Sequence, residues 1–328
     1  MITRLSETES SRPSARRHAF TLLELLVVIG IISVLSVATV ISVQKISRDV
    51  KLSTGVNRVL GALTSARSEA IRTNTPTLVT FRVVKDYDDP SRPEQVEVVV
   101  AQFTGDIKGA GYYGSTSNAY FERYQPVPTI APRLLPEGIK VAAPYTEFSL
   151  ISEVTSDNED TLWNFMATGP MKLTQITFSG DSAPTTTYDT QVGQWGGGFA
   201  VLFSGDGTMI MRDPDTIVSA EKSSYRFVDF DADRRFDVSR GTGGYAGNSV
   251  FFEQRQTDRD FLVNSAQFLV VYDEERAKQD VDFTNWDANG GVVNFIRDRN
   301  AELGPWVTEN ADRIHFNRYT GLAEVGAR

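Results

Sequence analysis

The sequence predicts an α+β protein in which one long N-terminal α-helix packs on an antiparallel β-sheet domain carrying long insertions. Three observations predict it. Nineteen uncharged residues run from Leu25 to Val43. Apolar residues then recur at helical spacing as far as Ile71. After Pro76 come short alternating segments separated by polar, Gly-rich stretches, the pattern of a strand-rich domain.

Composition bounds the rest. A chain of 328 residues, 41% hydrophobic, can bury a large core. The absence of Cys removes disulfides and thiolate metal sites, and the two His leave almost nothing for zinc. The formal net charge is −9. Arg4, Arg12, Arg16 and Arg17 against Glu7 and Glu9 make residues 1–19 basic, so the remainder is more acidic than the whole. Such a surface disfavours broad polyanion binding, and nucleic acid is not an expected partner.

The run from Leu25 to Val43 is long enough to cross a hydrocarbon core of ~30 Å as a helix. Arg16 and Arg17 ahead of it place its N-terminal side in the cytoplasm. A plain anchor or secretory signal would end the matter there, but Glu24 stands at the start of the run. A carboxylate costs up to ~2.5–3.5 kcal/mol at the centre of a lone membrane helix and less near its end. Cutting the chain after Ala19 would supply a partner, the new α-amino group of Phe20. In an array of such helices that ammonium could pair with Glu24 of a neighbour and fix their register. Arg16-Arg17 is also a twin-arginine pattern, and Ser36-Val37-Ala38 is a small-x-small cleavage pattern. Glu24 inside the apolar stretch serves neither.

The segment Arg16-Arg17-His18-Ala19-Phe20-Thr21-Leu22-Leu23-Glu24-Leu25-Leu26 resembles the leader junction of type IV pilins and type II secretion pseudopilins. The resemblance implies a pilin-like fold and a cytoplasmic leader over 1–19, removed by a prepilin peptidase between Ala19 and Phe20. It implies N-methylation of Phe20 and makes Glu24 the assembly residue. It further implies other pilin or pseudopilin subunits and an inner-membrane assembly platform as partners. The chain would sit once through the inner membrane, with its C-terminal domain in the periplasm, and then enter a filament. Two features depart from the family pattern: Ala19 stands where Gly is usual, and no Pro interrupts 20–74.

The expected helix therefore runs unbroken, with a membrane or filament-core part over 20–43 and an amphipathic continuation over 44–74. Ile46, Val50, Val56, Val59, Leu60, Leu63, Ala66, Ala70 and Ile71 form the continuation's apolar stripe. Asn74-Thr75-Pro76 is its stop. The stretch from Ala66 to Pro76, with a strand behind it, is similar to H-type minor pseudopilins. That implies a minor subunit, with extra length inserted between core strands.

Residues 75–328 read as a β-rich extracytoplasmic domain. Strands are expected at Thr77–Val84 and Val96–Phe103, around a loop with Asp86, Asp88 and Asp89. A hairpin is expected over Phe199–Met211, turning at Ser204-Gly205-Asp206-Gly207. A further strand is expected at Ala266–Tyr272 and a last pair within Ile314–Glu324, while Gly105–Asn118 and Gly241–Asn248 read as polar loops.

Catalysis finds little support. Once His18 leaves with the leader, His315 alternates with Ile314 and Phe316 as a solvent-facing strand residue. No catalytic residue, cofactor or metal is expected, although the 42 acids contain many coincidental carboxylate pairs. Asp229, Asp231 and Asp233 open like a calcium loop, but Arg234 and Arg240 stand where an EF-hand needs Gly and Glu. An acidic turn neutralised by Arg234 and Arg235 is the simpler expectation. Residues 118–124 and Trp163, Trp195, Trp286 and Trp306 are read chiefly as core. Arg313, Arg318 and Arg328 leave a small basic patch for the alternative of a DNA-uptake or adhesive pilus subunit. A membrane-tethered envelope enzyme is the more distant alternative.

Overall fold

The computed structural model describes residues 22–84, 95–109, 120–144, 163–165, 198–211, 224–230, 232, 234, 261–283, 292–317 and 319–326. Its first element is α1, Leu22–Thr73, and the chain divides into two compact units between Arg48 and Asp49. Helix α1 stops where the sequence says it should. Asn74 adopts φ 50°, its N–H donates to the Ile71 carbonyl (3.4 Å), and the Thr75 N–H donates to the Ala70 carbonyl (3.2 Å). This pair of reversed bonds satisfies the last helical carbonyls, and Pro76 bars continuation.

In the second unit the strands form two sheets. Strands β1 (Thr77–Val84) and β2 (Gln95–Gly109) pair antiparallel from Thr77 opposite Gln102 to Val84 opposite Gln95. Then follow β3 (Tyr120–Pro126), β4 (Arg133–Leu134), β5 (Ile139–Pro144), β6 (Trp163–Phe165), β7 (Gly198–Phe203) and β8 (Met209–Ile210). Next are β9 (Ser224–Val228), β10 (Phe261–Ser265), β11 (Phe268–Asp273), α2 (Glu274–Asp280), α3 (Val292–Asn310), β12 (Asp312–Phe316) and β13 (Ala323–Val325). The first sheet runs β1-β2-β3-β9-β10-β7-β8, with β4 added beside β2, and β1 also pairs β7. Six strands therefore close into a ring. The second sheet runs β13-β12-β11-β5-β6.

The expectation of an antiparallel sheet needs one correction. Most pairings are antiparallel, but β3–β9 and β7–β10 are parallel. These two joints close the ring, and both are supplied by strands that arrive after long intervening segments. A second correction concerns Gly105–Asn118: residues 105–109 belong to β2, where a bulge between Phe103 and Ile107 uses Gly105 at φ 84°.

The core sits between the sheets. Val56, Val59, Leu63, Ala66 and Ala70 of α1 are buried against Val79, Phe81, Val98 and Val201 of the ring. The same cluster takes in Val141, Leu269, Val271 and Ile314 of the second sheet. Alternation along the ring strands sends Leu78, Ala101, Tyr124, Ala200, Leu202, Val228 and Val263 to the other face, where they form a separate buried cluster.

On its far face the second sheet carries Phe268 and Tyr272. Phe268 meets Trp163 edge-on at 5.6 Å, and Tyr272 meets Trp306 of α3 at 6.4 Å. Trp163 and Trp306 are thus core residues, while Trp195 and Trp286 lie outside the described residues. Both α2 and α3 went unforeseen.

The amphipathic stripe holds through its middle and fails at its ends. Ile46, Val50 and Ile71 are exposed, whereas Leu60 packs partly against the core.

Candidate assembly site

The N-terminal part of α1 is apolar on every side. From Leu22 to Leu35 eleven large hydrophobic side chains are exposed, Leu22 at 83% and Val28, the least exposed, at 47%. A helix with an apolar stripe would have one polar face to give to water, and this segment has none. At roughly 1.5–3 kcal/mol for each such side chain fully buried, these eleven represent on the order of 15–30 kcal/mol of unsatisfied burial. That total outweighs several times over the few kcal/mol a carboxylate costs in a membrane helix.

The polar residues within the stretch are adapted to an apolar surrounding. Ser33, Ser36 and Thr39 donate their hydroxyl protons to the carbonyls of Ile29, Ile32 and Leu35, at 2.7–2.8 Å. Each hydroxyl is satisfied by the residue four positions earlier and asks nothing of its surroundings. Glu24 is the exception. It lies exposed in the first turn of α1, where the helix dipole favours a negative charge, and it interacts within the chain. Ala19 and Phe20, the other two residues of the expected processing site, lie outside the described residues.

Among the described residues no helix is long and apolar enough to cross a membrane. The side chains at 37, 38, 40, 41 and 44, inside the apolar run, lie outside that description.

The other candidates resolve into structure. Asp229 is fully buried and meets the Arg123 guanidinium at 2.7 Å. Its carboxylate also accepts the backbone N–H of Ala232 (2.8 Å) and of Arg234 (3.2 Å). Those bonds hold Ala232 and Arg234 at positive φ, 63° and 68°. With a guanidinium against it, this carboxylate is a poor cation ligand. Its counter-charge is Arg123 from β3; Asp231, Asp233 and Arg235 are outside the described residues. No group of three or more His, Asp and Glu able to hold a metal occurs among the described residues.

His315 is exposed on β12 and stacks on Phe268 at 5.9 Å, as its alternation predicted. Of residues 118–124, Tyr124 is buried and Glu122 pairs with Arg226 of β9 at 3.1 Å. Arg313 is half-buried, and Arg318 and Arg328 lie outside the described residues.

Sequence reasoning missed the role of Arg67. Its Nε donates to the carbonyls of Thr320 (2.7 Å) and Gly207 (3.2 Å), so it ties α1 to two turns distant in sequence. It also missed the Arg123–Asp229 pair. The available signal was Glu122-Arg123 inside an otherwise aromatic strand, since charges at that place need buried partners.

The comparisons with known proteins bear on the same N-terminal stretch. Residues 14–40 match the prokaryotic N-terminal methylation motif, so this N-terminus is of the prepilin type. No curated protein and no solved structure matches the chain.

Proposed function

We propose that this chain is a minor pilin-like structural subunit of a type II secretion pseudopilus or type IV pilus, and not an enzyme. The observation that carries the reading is the prepilin-type motif over residues 14–40, joined to a helix apolar all round with a single acid in its first turn. The fold is consistent with it, because α1 passes from this exposed apolar stretch into the core of a β-rich domain.

In this reading residues 1–19 are a cytoplasmic leader and 20–43 cross the inner membrane, with the rest in the periplasm. Prepilin peptidase cuts between Ala19 and Phe20, and Phe20 is N-methylated. An assembly platform then moves the helix from lipid into a bundle of like helices. Burial of Leu22 to Leu35 is retained in that transfer, so the free-energy difference rests on packing and on polar pairing. The Phe20 ammonium of one subunit and Glu24 of its neighbour supply that pairing. A displaced register would leave both charges unpaired in an apolar medium, at a cost of about 3–5 kcal/mol. The stretch from Ala66 to Pro76 supports a position in the H-type minor class.

The test has two parts. Intact-mass measurement of protein purified from its native host should give a chain beginning at methylated Phe20. The Glu24→Ala protein should be cleaved normally, remain in the membrane and be depleted at least tenfold from sheared filaments. A mature chain that begins at Met1 or beyond Ala38 would end this reading, as would normal incorporation of Glu24→Ala.

A further inference from the structure

We draw no further inference here: the strongest candidate, the surface patch of Tyr319 and Leu322 on the β12–β13 turn together with Val325 on the edge strand β13, is an exposed apolar face, and nothing in the structure shows what covers it.

Discussion

Asp229 and Arg123 show how one buried pair sustains a whole turn. Arg123 also meets Asp106 at 2.8 Å, so its guanidinium is shared between two carboxylates while nearly enclosed by protein. Asp229→Ala leaves that cation half-paired and releases the N–H groups of Ala232 and Arg234. Loss of one partner of a buried pair costs about 3–5 kcal/mol, and denaturant unfolding should show a loss of that size. Asp206 offers a test by pH. The hydroxyls of Ser204 and Thr208 and the Thr208 N–H all donate to its carboxylate, which holds its pKa at about 2. The folded value lies below the ordinary one. The stabilisation is therefore complete above the usual carboxylate range and fades as the pH falls toward 2. Thermal unfolding should find Asp206→Ala less stable than wild type at pH 7, with the gap shrinking between pH 4 and pH 2.

Among the elements, those with local signals were legible and those made by distant partners were not. The stop of α1 at Asn74-Thr75-Pro76, the β7–β8 hairpin and the β12–β13 pair all carry their own turn chemistry, and the structure places each where expected. The parallel joints of the ring carry none, because β3 and β9 are separated by about a hundred residues that say nothing of each other. Helix α3 was hidden by Gly304-Pro305, a pair that reads as a break. It survives because Leu303, Trp306 and Val307 are buried, and that packing offsets the bond the proline cannot make. Of the candidate assembly site, the motif was readable from residues 16–26, Glu24 among them; the self-satisfied hydroxyls needed coordinates.

The junction at the end of α1 yields a third prediction. Gly207 has φ 82°, and a Cβ there would lie 2.6 Å from Ile71 Cδ1. Asn74, by contrast, occupies a left-handed position that suits glycine. Gly207→Val should lower the melting temperature by several degrees, and Asn74→Gly should leave it nearly unchanged. Equal effects would mean that the junction does not depend on backbone conformation.

At the scale of the whole molecule, the β-rich part is incomplete without the helix. The division of the chain falls at Asp49 and not after Asn74, because Val56, Val59, Ala62, Leu63, Ala66 and Ala70 belong to the main core. Removing them strips both sheets of their common partner, uncovering Phe81, Val98, Val141 and Leu269. With roughly 1.5–3 kcal/mol for each large side chain and less for each alanine, the loss is on the order of 10 kcal/mol. A domain has only ~5–15 kcal/mol of net stability to lose. A fragment of residues 49–328 should therefore unfold cooperatively on heating and remain monomeric in dilute solution. A fragment of 75–328 should show neither a cooperative transition nor dispersed amide resonances. If 75–328 proved as stable as 49–328, α1 would be an appendage and its insertion between the sheets incidental.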